Sequence, residues 1–181
     1  MEKYKNKYRI SSARLYGYDY GKNGAYFITI CTKNRTHHFG EILNGEMKLS
    51  EIGKCASDCW SAIPEHFPFV ELGEFVIMPN HVHGVIIINK EIEPNLNNEF
   101  EKPIVTEFYR NKFGPQSKNV ASIIRGFKVG VTISSRIINS DFYWQPRFHD
   151  HIIRDSRAFI NIRNYIIQNP KKWKDDRFYI S

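Results

Sequence analysis

Phe69-Val70-Glu71-Leu72-Gly73-Glu74-Phe75-Val76-Ile77-Met78-Pro79-Asn80-His81-Val82-His83-Gly84-Val85-Ile86-Ile87-Ile88-Asn89 reads as two strands around a turn. Phe69 to Met78 is rich in β-branched and aromatic residues, Pro79-Asn80 are turn formers, and Val82 to Asn89 is a second apolar run. The connection is too short for anything but antiparallel pairing. His81 and His83 stand at the mouth of the second strand. Side chains two apart leave one face of a strand, so both imidazoles can reach a single divalent metal ion.

Working outward, Tyr26 to Thr32 predicts an earlier strand, bounded by Gly24 and by Lys33-Asn34-Arg35. Gly40 and Gly45 punctuate a small hairpin. Ser50 precedes Glu51 to Ile63, where Ile52, Cys55, Cys59, Ala62 and Ile63 recur at helical spacing, and Pro64 is read as the stop. Residues 1–24 read as a basic arm and residues 90–119, polar and irregular, as a flexible loop. Val120 to Ile138 is helical through Ile123, Ile124, Phe127 and Val131. Phe142 to Ile153 reads as a fourth strand, and Ser156 as the cap of a last helix that Pro170 stops near Asn169. The order β, α, β, β, α, β, α predicts an α+β chain: a ferredoxin-like split βαβ antiparallel sheet, helices on one face, and an additional C-terminal helix.

The 181 residues fit one domain. No apolar run nears the roughly 20 residues of a membrane helix, so no membrane association is expected. The charged start, Met1 to Arg9, has no apolar segment after it, and three cysteines cannot all pair. Both point to the cytoplasm. The net charge is +7, and it is one-sided: residues 1–109 hold 12 Lys and Arg against 14 Asp and Glu, and residues 110–181 hold 14 against 5. Such an excess suits either a polyanion partner, most simply nucleic acid, or a solvated basic surface.

Two imidazoles leave a metal short of protein ligands. A third donor and open positions are needed for a catalytic site. In Asn164-Tyr165-Ile166-Ile167-Gln168-Asn169-Pro170, Tyr165 and Asn169 are four apart and share a helical face, beside an apolar stripe of Phe159, Ile162 and Ile166. Either they bring a phenol and an amide to the metal, or Tyr165 packs at the stripe's edge and Asn169 caps the helix. His149 and His151 form a second pair that could be a rival metal site. Cys55 and Cys59 are more simply core residues than half of a zinc site, and His37 and His38 read as solvated turn residues.

Met78 to Gly84, Ile123-Ile124-Arg125-Gly126-Phe127-Lys128, Trp144 to Arg154 and Tyr165 to Pro170 together resemble the single-tyrosine HUH transposases, nearest to the REP-associated tyrosine transposases. The similarity runs from about Arg14 to Tyr179. It implies a divalent metal, Mg or Mn, on His81 and His83 with Asn169 completing the site, and a nucleophilic Tyr165 that makes the last helix catalytic. It also implies a partner: single-stranded DNA with hairpin or palindromic repeats, cut and joined through a 5′-phosphotyrosine. His151 is implied as a positioning or DNA-contacting residue and His149 as variable surface. Among the other tyrosines, Tyr143 is the reserve nucleophile.

Arg125, Lys128, Arg147, Arg154, Lys171 and Lys172 are the expected DNA contacts, with Arg14 and Arg35 as additions; Phe148 and Trp144 are candidates for base stacking, Trp144 more simply for burial. Two other readings stand beside this one. A histidine-triad nucleotide hydrolase would need a third histidine where Val85 stands, and a nucleic-acid-binding module on the same fold would lack chemistry. The sequence leaves the choice between monomer and homodimer open.

Overall fold

In the computed structural model, the residues described are 17–92 and 118–179, so the arm before residue 17 and most of the 90–119 segment, with Arg9 and Arg14, lie outside them. The elements in chain order are β1 (Gly24–Cys31), β2 (Gly40–Leu43), β3 (Glu46–Leu49), α1 (Glu51–Ser61), α2 (Ile63–His66), β4 (Val70–Met78), β5 (His81–Ile88), α3 (Val120–Ile138), β6 (His149–Ile153) and α4 (Ser156–Gln168). A 3-10 segment, Pro170–Asp175, follows α4.

The main sheet has the order β4-β5-β1-β6, antiparallel throughout, which is the split βαβ arrangement; β2 and β3 form a separate hairpin. Alternation then sorts side chains between two faces. Tyr26, Ile28 and Ile30 of β1 with Val82, Ile86 and Ile88 of β5 join the main core with Ala56 and Trp60 of α1 and Ile123, Ile124 and Phe127 of α3. On the opposite face Val85, Ala25, Phe27 and Val76 pack with Phe159, Ile162 and Ile166 of α4. Thus α1 and α3 share one face, and the additional helix covers the other.

Helices α1, α3 and α4 begin where a side chain takes an orphan amide. The Ser50 hydroxyl accepts from Gly53 N at 3.0 Å for α1, Asn119 and Ser122 form a reciprocal capping box for α3, and Asp155 accepts from Ala158 N at 2.8 Å for α4. Two expectations need correction. Pro64 does not end α1 but lies in the first turn of α2, where a missing amide costs nothing. Of the expected fourth strand only His149–Ile153 is strand. Upstream of it Trp144 makes one antiparallel bridge with Thr32, after which Lys128 Nζ donates to Gln145 O and Arg147 O, both at 2.8 Å, and Arg147 takes a left-handed backbone (φ 69°) that interrupts the ladder.

Gly84, on the core face of β5 between His83 and Val85, makes room for Trp60 by its lack of a side chain. A Cβ there would lie 2.3 Å from Trp60 Cζ2, and Trp60 is fully buried, stacked on Phe75 and edge-on to Phe127. Overpacking a rigid ring in this way costs about 1–3 kcal/mol or more. Gly84→Ala should therefore lower the urea midpoint by that free energy without changing the slope of the transition, and an unaltered midpoint would show that Trp60 is free to move aside.

Candidate active site

His81 and His83 lie in β5 on the face that α4 covers, opposite Cys31 and Thr29 of β1 and Met78 and Val76 of β4. They are 0% and 1% exposed, and their rings are 4.4 Å apart. Each Nδ1 is occupied: His81 Nδ1 meets Asn80 Oδ1 at 2.8 Å and His83 Nδ1 meets Thr29 Oγ1 at 2.9 Å. Asn80 Oδ1 can only accept, so His81 carries its proton on Nδ1 and leaves a lone pair on Nε2. That Nε2 is buried with no hydrogen-bond partner.

Helix α4 brings Tyr165 to the same point. Its hydroxyl is 3.2 Å from His83 Nε2 and 3.4 Å from Asp176 Oδ2, its ring is edge-on to those of His83 and Phe27, and the residue is 43% exposed. One turn on, Asn169 is buried; its Nδ2 donates to Asp176 Oδ2 at 3.0 Å, and its Oδ1 is a second buried polar atom without a partner. Ligand atoms of His81, His83 and Asp176 lie within 4.8 Å of one another. Two imidazoles and a carboxylate, with two polar atoms left unsatisfied among them, form a donor set that can hold a divalent metal ion.

Asp176 was not among the expected residues. It arrives through the segment after α4, which folds back so that Trp173 and Phe178 pack on Met78, Phe178 N donates to Asp176 Oδ1 at 2.7 Å, and Asn80 Nδ2 donates to Phe178 O at 2.9 Å. Thr29, Asn80 and Arg177 also escaped the sequence reading. No spacing announces them, although the acidic pair Asp175-Asp176 inside a basic tail was a usable signal.

The other expected residues separate into two groups. Lys171 and Lys172 are exposed in the 3-10 segment beside Asn169, and His149 and His151 are exposed on β6, facing the same way as His83 and Phe27 by register. Arg154 is exposed just after β6. Arg125, Lys128 and Arg147 instead gather with Phe148 around a cavity of about 460 Å³ on the flank of α3, the helix on the other face of the sheet. Lys128 gives its ammonium to two carbonyls there, and burial pulls it down to about 8. Tyr143, the reserve nucleophile, has the Lys33 and Arg136 cations over its ring. His38 is not solvated: it is half-buried, edge-on to Phe142, and burial lowers its pKa. Trp144 packs among Phe39, Phe127 and Phe142. Val85, the third alternating position, is buried under α4 and carries no imidazole.

Burial sets the protonation of the site. It holds His81 well below the usual imidazole range, helped by His83, Arg177 and Arg35, and it holds His83 down to about 4 against the pull of Asp176. Tyr165 is pushed up, first by burial and then by Asp176, while the Asn169 amide and Arg177 oppose this. Both imidazoles are therefore neutral and able to ligate at pH 7.

No family model matches the chain. A protein of Haemophilus influenzae described only as uncharacterized is 40% identical over 171 residues, 93% of this chain and 92% of its own length. A second protein of that organism, described as "Putative REP-associated tyrosine transposase", is 26% identical over 157 residues, 87% of this chain and 76% of its own length. A solved structure of a REP-associated tyrosine transposase bound to a REP hairpin superposes with a TM-score of 0.61 at 21% identity, covering 91% of this chain and 74% of that one, and so shares the fold. These comparisons support the resemblance to the REP-associated tyrosine transposases that the sequence motifs carry.

The neutral histidines make stability depend on pH. The unfolded chain protonates each imidazole near pH 6.5, whereas the folded, ion-free chain keeps His83 unprotonated to about pH 4. Between these values the unfolded state binds more protons, so stability is complete above pH 6.5 and falls as the pH is lowered, by up to about 3 kcal/mol from His83. Urea denaturation at steps from pH 7 to 4.5 should show this decline, with a shallower one in His83→Asn; identical declines would remove His83 as the cause.

Proposed function

We propose that this protein is a metal-dependent DNA strand transferase that cuts single-stranded DNA beside a hairpin or palindromic repeat and joins it again, with Tyr165 as nucleophile. The observation that carries the reading is the Tyr165 hydroxyl 3.2 Å from His83 Nε2, next to the unpartnered His81 Nε2 and Asn169 Oδ1. A tyrosine left partly exposed at a cluster of empty donors serves chemistry better than packing.

His81 and His83, with an oxygen from Asn169 or Asp176, would hold a Mg or Mn ion. Bound there, the ion supplies Lewis-acid polarisation of the scissile phosphate. The chain's own residues do the rest. Thr29 and Asn80 fix the imidazoles through their Nδ1 atoms. The phenol donates to Asp176 Oδ2 at 3.4 Å, so that carboxylate can accept its proton. The phenol gives its proton to that acceptor as its oxygen attacks phosphorus, the bond from phosphorus to the 3′ oxygen breaks, and the same proton passes to the 3′ oxygen, leaving a free 3′-hydroxyl beside a 5′-phosphotyrosine. A phenolate departs more readily than an alkoxide, so another 3′-hydroxyl can reverse the step and join strands instead of hydrolysing them. The transposase-like family and the hairpin held by the structural neighbour support a hairpin-bearing DNA as substrate.

Incubating purified protein with a labelled hairpin carrying a single-stranded flank, with Mg or Mn, should give a protein–DNA adduct stable in a denaturing gel. Tyr165→Phe should abolish the adduct while changing affinity for the same DNA by less than about twofold; a full yield of adduct would move the nucleophile to another residue.

Replacing His81 and His83 together by Ala should remove manganese binding in calorimetry and the thermal stabilisation that a bound ion gives wild type, with Asn169→Ala weakening both by less. Undiminished binding in the double variant would place the ion elsewhere, with His149 and His151 the next pair to test.

A further inference from the structure

We infer that Arg35 and Arg177 form a two-armed phosphate clamp at the rim of the His81 and His83 site, gripping a phosphate of the bound strand that neighbours the one attacked by Tyr165. The inference rests on the proposed reading of the site as a DNA strand transferase and adds residues that position the strand.

The two arginines are distant in sequence and joined in space. Arg35 lies in the 3-10 turn after β1, and Arg35 Nη1 donates to Arg177 O at 3.0 Å, across a separation of 142 residues. Both guanidinium carbons lie over the ring of Phe178, at 5.2 and 4.6 Å. The same ring is 4.6 Å from that of His81 and 5.8 Å from that of His83. Phe178 thus touches both imidazoles and both cations. Neither guanidinium hydrogen-bonds to His81, His83, Tyr165 or Asp176, so they address a group next to the metal donors rather than the donors themselves.

Among the described residues their charge has no carboxylate partner. Among the described residues the ion pairs are Lys48 with Glu46, Lys54 with Glu51 and Arg163 with Glu74, and no carboxylate pairs with Arg35 or Arg177. Asp176 is adjacent in sequence to Arg177, but its oxygens accept from Phe178 N, Asn169 Nδ2 and the Tyr165 hydroxyl. Two like charges over one ring repel each other unless an anion joins them. Arg35 further holds a left-handed backbone (φ 56°) directly after Asn34 in the same region (φ 54°), a conformation rare for a long side chain and here tied down by its bond to Arg177 O.

The chemistry of the missing anion follows. A guanidinium presents a planar fork that matches the two non-bridging oxygens of a phosphodiester, and stacking on an aromatic ring fixes the plane of the fork before the ligand arrives. A phosphate in the strand fits the two cations, the ring that orients them, and their place beside the proposed scissile position.

The test uses the full chain and one DNA, a hairpin with a single-stranded flank in which each flank phosphate is replaced in turn by a neutral methylphosphonate. For wild type, one position next to the cut site should weaken binding by about tenfold. In Arg177→Gln that position should lose its effect while the others keep theirs, and the slope of log affinity against log salt should fall by about 0.7, the loss of one phosphate contact. The Arg177 side chain accepts and donates no hydrogen bond among the described residues; it is the Arg177 carbonyl that holds Arg35, so this variant keeps the fold, with retained manganese binding as the check. The double change Arg35→Gln with Arg177→Gln should match it or go further, and Arg177→Lys should restore the slope but not the position-specific effect. The clamp is overturned if the methylphosphonate penalty is the same in wild type and Arg177→Gln, or if the salt slope does not move. If wild type itself forms no Tyr165-dependent adduct and ignores the flank, the strand-transferase reading fails and takes the clamp with it; an adduct with an unmoved penalty removes the clamp alone.

Discussion

The register of β5 is the constraint on which the rest depends. Its odd positions carry His81, His83 and Val85 toward α4, and its even positions carry Val82, Gly84 and Ile86 toward α1 and α3. A slip of one residue would put both imidazoles under Trp60 and expose the core, so hydrophobic burial on one face fixes the aim of polar groups on the other. The bulge in β4 between Leu72 and Phe75 serves this register: it lets Phe75 meet Gly84 and stack on Trp60 while Val76 and Met78 still flank the histidines. Opposite it, Glu74 holds Arg163 of α4 at 3.0 Å.

Two polar atoms, His81 Nε2 and Asn169 Oδ1, are buried and unpaired, and each such group costs about 1–3 kcal/mol. The surrounding shell offsets this by satisfying everything else. Asn80 uses both ends of its amide, on His81 and on Phe178 O, and Asp176 accepts from three donors. Within the site, the two atoms left without a protein partner are both ones that a cation can take.

The parts of this arrangement that follow a covalent period were readable. The spacing of two between His81 and His83 and of four between Tyr165 and Asn169 places each pair on one face whatever the tertiary fold, and the stripe of Phe159, Ile162 and Ile166 fixes which face of α4 is inward. The parts that depend on chain return were not. Asp176, Arg177 and Phe178 reach the histidines only because Trp173 and Phe178 find a seat beside Met78, and no local pattern encodes that seat. The aromatic run from Phe142 to Phe148 imitates a strand, but its conformation is set by the Lys128 ammonium and by the fit of Phe142 and Trp144 into the core. Pro64 shows the ambiguity of proline itself, which stops one helix and starts another equally well.

The hydrogen bonds that complete the site join residues far apart along the chain: 54 positions from Thr29 to His83, 82 from His83 to Tyr165, and 98 from Asn80 to Phe178. Each closes a long loop, whose entropy is recovered only when the sheet, α4 and the returning segment are all in place. No single hairpin or helix pair contains enough of the donors to bind an ion. Occupancy of the site is then a property of the whole cooperative fold, and a bound ion would report the native population of the chain as directly as any spectroscopic probe of its core.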